Sequence, residues 1–453
     1  MRILQISCSY FPATFAGTEV YLHGLNSQLL SRGHSVYVLY LGEFFEKDGP
    51  LFRTREYNYE GIPVFVVEKN VNFVDTTDLY YDRKGVLVDF FSNFLKKINV
   101  DVVNFHHFSP SDTFTFMKIC KDFGLPSIIT YHTSFTCLCG DMLYLGDSGC
   151  ELPLNKNRCV SCFLIKKGLP KFCARFWASL PVFINKKLYA FSDFFHVLPK
   201  VTTFFQLPYL SSIRQDKLIQ WLNMAKRIVV LCGWARDILL KNGVDQGKIV
   251  LLRQGIPKPP LVLRNEEKSK FTFGYIGRIT RIKGLEVLLK AFSMASSQMD
   301  AHLHIYGLPE KKGEEKKYFE RLFKSYNDKR ISWRGRLLEQ DKFQVLKNID
   351  VLIVPSLIYE TGPLVVLEAW AVGTVVIGSC LGGIKELVYP ERGGLLFEAG
   401  NARELANLML RCYNEPWLLK RLQSSIPALR SIEDVADDME ELYYSLINSK
   451  NNF

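Results

Sequence analysis

Short runs of Val, Ile and Leu recur along the chain, each followed by a segment of helical length. RILQIS (2–7) reads as a strand, and a helix follows from near Thr18. Further strands are expected at SVYVLYL (35–41), DVVNFHH (101–107), SIITYH (127–132), RIVVLC (227–232) and KIVLLRQG (248–255). IPKPPLVLRNEEKSK (256–270) breaks the pattern with three prolines and a charge cluster, as an interdomain linker would. Alternation restarts at FTFGYIG (271–277) and continues through AHLHIYG (301–307), ISWRG (331–335), DVLIVPS (350–356) and TVVIGS (374–379). Strands alternating with helices predict two parallel, doubly wound α/β domains in tandem. Ligands of such sheets bind beyond the carboxyl ends of the strands, and a cleft between two such domains is the default site.

At 453 residues with 48% hydrophobic content, the chain can build two cores, and disorder is excluded as its main state. MRILQIS enters a strand directly and lacks the longer apolar stretch and cleavage site of a secretory signal. No run of 18 apolar residues is present. A cytoplasmic location is therefore expected, and eleven cysteines then do not read as a disulfide framework. The formal charge is +11, and a net +8 of it lies between Lys156 and Lys200. Phe172, Phe176, Phe183, Phe191, Phe194 and Phe195 share that window. Cations among rings suit an anionic membrane at its cytoplasmic face, single-stranded nucleic acid, or a solvated face over an ordinary core. No groove-reading helix or zinc-finger spacing is evident, so no nucleic-acid partner is expected.

Candidate chemistry concentrates in the second half. In GYIGRITRIKG, Arg278 and Lys283 stand five residues apart beside Gly277 and Gly284. Such a pair can clamp a diphosphate, although a surface Arg and Lys near a turn is commoner. In SLIYETGPLVVLEAW, Glu360 lies in the loop after a strand and Glu368 eight residues later. Gly362, Pro363 and Leu364 fit a helix start whose N–H groups can hold a phosphate or sugar oxygen. Glu368 falls on an apolar helix, so its carboxylate needs a partner: a ribose diol, or a neighbouring backbone group. Gly382 and Gly383 suit a tight turn before Glu386.

Arg278 with Lys283, the Glu360-x7-Glu368 segment and GGIKELV together resemble the nucleotide-sugar half of a GT-B glycosyltransferase, most closely the retaining family four. AGTEVYLHGLNSQLLSRGHSVYVLYL resembles that family's glycine loop, helix and second strand; DVVNFHH and IITYHT resemble its cleft-facing strands. The resemblance covers most of residues 1 to about 440. It implies an acceptor-side Rossmann-like domain at 1–256, a linker at 257–270, a nucleotide-sugar domain at 271–435 and a helix (436–453) returning to the first domain. It implies a nucleotide diphosphate sugar donor and a glycan or lipid-linked acceptor, as in surface polysaccharide or lipopolysaccharide assembly. Arg278 and Lys283 would hold the diphosphate, with no catalytic metal needed. Glu368 would bind the ribose, while Glu360, Gly362, Pro363 and Leu364 position the sugar. His132 would lie at the reacting centre and Gly17 in a loop near the diphosphate. His106 and His107 read as structural. Alternatives are a nucleotide-sugar epimerase, a glycogen-synthase-like polymerase, or a non-catalytic carbohydrate- or nucleotide-binding protein. Ala16-Gly17, Thr133 and Gln254 depart from the commoner family residues.

Six cysteines crowd 137–173. Cys137, Cys150, Cys159 and Cys162, with Cys139 omitted, give C-x12-C-x8-C-x2-C, a spacing suited to a structural Zn²⁺. Reduced thiols packed as small hydrophobes, or an iron–sulfur cluster, are the other readings. The segment also resembles an insertion in a subset of family-four enzymes, which would shape the acceptor pocket.

Overall fold

A computed structural model describes residues 1–70, 86–132, 134–145, 148–181, 183–188, 199–262, 270–309 and 313–448. Thr133, Phe191, Phe194, Phe195, much of the expected linker and residues 449–453 of the expected C-terminal helix lie outside these residues. The chain divides into two compact units, 1–253 with 433–453, and 254–432.

In the first unit the strands are β1 (Arg2–Ser7), β2 (Ser35–Phe44), β3 (Phe52–Tyr59), β4 (Ile62–Asn70), β5 (Val102–Phe105), β6 (Ser127–Tyr131), β9 (Arg227–Val230) and β10 (Ile249–Leu251). They form one sheet in the order β10-β9-β6-β5-β1-β2-β4-β3, parallel except for β3 against β4. Central β5 and β6 are buried at every position, as expected where helices cover both faces. Polar β3 closes the edge; Arg53 and Arg55 both reach Glu68 of β4. Glu60 and Gly61, at φ 51° and 84°, make the two-residue turn of this hairpin. A small hairpin, β7 (Leu143–Tyr144) with β8 (Ser148–Gly149), stands apart.

The second unit carries β11 (Phe271–Ile276), β12 (Ala301–Tyr306), β13 (Ile331–Gly335), β14 (Val351–Val354), β15 (Val375–Ser379) and β16 (Gly394–Phe397) in the order β13-β12-β11-β14-β15-β16. All of these pairings are parallel. Strand order reverses between β11 and β14 here, and between β1 and β5 in the first unit. These switch points are where doubly wound sheets leave room for ligands.

The helix Ile432–Asn448 closes the first unit. Arg32 donates to Glu440 at 2.8 Å, His34 pairs with the same carboxylate at 2.8 Å, and Tyr443 is fully buried. Among the described residues, no helix is long and apolar enough to cross a membrane.

Candidate active site

In the second unit the switch point gathers most of the expected residues. Gly277 follows β11 and donates its N–H to Tyr306 O at 3.0 Å. Arg278 follows, exposed, and among the described residues no carboxylate pairs with it. Its carbonyl accepts from Tyr275 Oη at 2.8 Å, which fixes the backbone at the strand end. Gly284 is left-handed at φ 70°, and a Cβ there would overlap the Pro355 carbonyl. That close approach packs the turn after β11 against the strand end of β14, with Leu357 N donating to Ile282 O at 2.8 Å.

The result is a preset cation–carboxylate pair. Lys283 Nζ donates to Glu360 Oε1 at 2.5 Å, and Ser356 Oγ donates to the same oxygen at 2.8 Å. Gly383 N–H holds the Glu360 carbonyl at 2.7 Å, so the helix Gly382–Val388 pins this loop from behind. The expected two-cation clamp is thus asymmetric: Arg278 is unpaired by acids, whereas Lys283 shares its charge with Glu360. An ammonium has three donors, so one bond to Glu360 leaves others for a phosphate oxygen.

Gly362, Pro363 and Leu364 lead into the helix Leu364–Ala371. A Cβ on Gly362 would overlap Gln254 Oε1, a buried acceptor with no hydrogen bond among the described residues. Glu368 lies on this helix and is buried, as its apolar surroundings implied. Its partner is a side chain: Lys342 Nζ donates to Glu368 Oε1 at 2.8 Å and also reaches Glu339 at 2.5 Å. Burial pushes the Glu368 carboxyl up, and Lys342 opposes that shift. Sequence reasoning missed Lys342 and Ser356, since only the fold brings the short helix Lys342–Lys347 and the end of β14 beside these carboxylates.

In the first unit, the ends of β5 and β6 bring His106 beside His132. His106 Nδ1 and His132 Nε2 are 2.9 Å apart, and His106 Nε2 lies 2.8 Å from Gln5 Oε1. Burial holds both rings neutral; His132 is lowered to about 3. Tyr21 lies edge-on to His132 at 4.8 Å. Gly17 begins the helix Gly17–Ser31, and a Cβ there would meet nothing within 4 Å.

Residues 270–415 match the family "Glycosyl transferases group 1", and residues 15–152 match "Glycosyltransferase Family 4". The chain belongs to the GT-B glycosyltransferases of the family-four type. Its fold resembles sucrose-phosphate synthase from Thermosynechococcus elongatus (TM-score 0.66, 19% identity, 99% of each chain). It also resembles Anabaena HepE in complex with UDP and glucose (TM-score 0.62, 15% identity, 98% of this chain and 99% of that one). A D-inositol 3-phosphate glycosyltransferase from Arthrobacter sp. is 29% identical over 150 residues, 33% of this chain and 35% of that protein. The matched stretches span only 33% to 48% of the length of the first curated relatives.

The cysteine-rich segment of this family-four protein brings Cys139, absent from the expected set, against two of its members, Cys137 and Cys162. Cys137, Cys139 and Asp141 place their ligand atoms within 4.8 Å of one another. Cys139, omitted from the spacing, is the thiol that contacts both Cys137 and Cys162, lowering each to about 6 while its own value rises. A turn closed by Gly140 N–H to Cys137 O, with Gly140 at φ 78°, curls the C-x-C pair back on itself. Leu145 N–H points to Cys162 Sγ at 3.2 Å, and Lys166 pairs with Asp141. Burial raises Cys150 and Cys159, and both feel the charge of Cys137.

Proposed function

We propose that this protein is a retaining glycosyltransferase that moves a hexose from a nucleotide diphosphate sugar to a glycan or lipid-linked acceptor in surface polysaccharide or lipopolysaccharide assembly. The observation that carries this is the group at the second unit's switch point: exposed Arg278, and Lys283 held against Glu360 and Ser356. That unit takes the donor and the first unit the acceptor. The UDP and glucose bound to the HepE relative support the donor class.

In this mechanism Arg278 and Lys283 bind the diphosphate and stabilise the charge that grows on it as the bond to the anomeric carbon breaks. No catalytic divalent ion is assigned a step. The acceptor oxygen bonds to the same face of that carbon, and its proton passes to the leaving phosphate oxygen. Glu360 positions the sugar, with its Oε1 held by Lys283 and Ser356, and no nucleophilic role is assigned to it. Gly362, Pro363 and Leu364 supply backbone contacts to the sugar. Glu368, paired with Lys342, accepts from the ribose diol. In the first unit, His132 and Gly17 are the candidates for contact with bound sugar or phosphate, and a Cβ on Gly17 would meet nothing within 4 Å. Product anomers read by NMR test the stereochemistry; inversion would overturn the retaining assignment.

A structural Zn²⁺ in the cysteine-rich segment would draw on Cys137, Cys139 and Asp141, whose ligand atoms lie within 4.8 Å of one another, with Cys162 in contact with Cys139. The protein also meets anionic membrane at the cytoplasmic face. On or just beyond the helix Lys171–Ser179, Phe172, Phe176 and Phe183 are 82%, 58% and 64% exposed, and Lys171, Arg175, Lys186 and Lys187 are close in sequence. Rings over a basic face are what headgroups and acyl chains accept.

A further inference from the structure

The buried polar chain beneath His132 has a direction. Tyr443, on the C-terminal helix, sits at its base and receives Gln5 Nε2 at 3.4 Å and Asn104 Nδ2 at 3.0 Å. Asn104 is fixed in turn by Thr130 Oγ1, which donates to its Oδ1 at 3.0 Å. With its amide nitrogen turned to Tyr443, Gln5 presents Oε1 to His106 Nε2 at 2.8 Å. An amide oxygen only accepts, so His106 carries its hydrogen on Nε2. A neutral imidazole with Nε2–H has an acceptor at Nδ1, and His132 Nε2 lies 2.9 Å from that atom. His132 must then donate from Nε2. Ring geometry agrees: the centroids are 5.1 Å apart and the planes only 28° apart, the edge-to-edge arrangement of an in-plane N–H to nitrogen bond.

We infer that Tyr443, Gln5 and His106 are positioning residues that lock His132 in its Nε2–H tautomer and make its Nδ1 an acceptor. Complete burial supports this, because it keeps both rings uncharged. A histidine in this state accepts a hydrogen bond at Nδ1 and cannot donate one there. The residue that sets this up from furthest along the chain is Tyr443, which gives the returning helix a role in the site besides packing. Use of the lock in transfer rests on the proposed function; the tautomer itself does not.

Ring ¹⁵N spectra of histidine-labelled full-length protein test it, with His106→Gln and His132→Gln assigning the signals. The expected wild-type result is protonated Nε2 and bare Nδ1 on both rings. A His132 ring protonated at Nδ1, or at both nitrogens, would overturn the inference. Gln5→Met removes the acceptor and should give mixed tautomers at His132, with kcat lowered about tenfold and the donor KM little changed. Tyr443→Phe, which loses only the hydroxyl, should move the same signals. Unchanged spectra in both variants would show that the chain does not set the tautomer. If the tautomers are as expected and no nucleotide sugar is turned over, the lock stands and the glycosyl-transfer function falls.

Discussion

Replacing Lys342 by methionine removes the cation that faces Glu368 and keeps most of the side chain's bulk. The pair is dry, with side-chain exposures of 11% and 8%. Removing one partner of a buried pair leaves an uncompensated charge and typically costs about 3–5 kcal/mol. In a unit of this size each kcal/mol moves Tm by about 2–4 °C, so the loss should be about 6 °C or more near neutral pH. The sign of the pH dependence follows from Glu368. Burial already raises its carboxyl, Lys342 opposes the shift, and Glu339 adds to it. Without Lys342 the folded value rises further. An acid raised in the fold costs nothing while protonated in both states and destabilises increasingly as pH climbs from its unfolded value, about 4.3, through its folded one. Calorimetry of wild type and Lys342→Met at pH 5 and pH 8 should therefore show a wider gap at pH 8. Adding Glu368→Gln should narrow it, because a neutral amide is cheaper to bury than a lone carboxylate. A gap equal at the two pH values, or a shift below about 2 °C, would refute the reasoning.

Arg278→Ala should lower donor turnover by about 10²–10³, with Tm unchanged, since the side chain is exposed and pairs with no described carboxylate; comparable kcat in both proteins would remove its role. Gly284→Ala should unfold or distort the donor loop, because a Cβ meets the Pro355 carbonyl and the backbone is left-handed; a wild-type Tm would contradict this packing. Purified protein should carry zinc near one per chain, and Cys139→Ser should lose it; full zinc content in that variant would exclude Cys139 as a ligand. Phe172→Ser with Phe176→Ser should weaken co-sedimentation with anionic vesicles, and equal binding would return the patch to an ordinary solvated face.

The central strands were legible because parallel strands covered on both faces are continuous apolar runs, as VVNF and SIITY are. The β3–β4 hairpin was not, since FRTREYNY is polar at an exposed edge, although Glu60-Gly61 before IPVFVV was a usable turn signal. GLLF of β16 is too short to separate from a loop by periodicity. Motif spacing located Arg278, Lys283, Glu360 and Glu368, but not their partners. Lys342 and Ser356 join the site through strand order, and Cys139 through a turn, neither of which spacing encodes. His106 is buried, and its contact with His132 depends on β5 lying beside β6.

The most direct measurement is release of nucleoside diphosphate from a panel of nucleotide sugars by the full-length protein, run beside Arg278→Ala and Glu360→Gln. At least one sugar nucleotide should be turned over by wild type, and both variants should be deeply impaired while keeping the wild-type Tm. Turnover of none, or equal turnover by all three proteins, would contradict a donor site built on Arg278, Lys283 and Glu360.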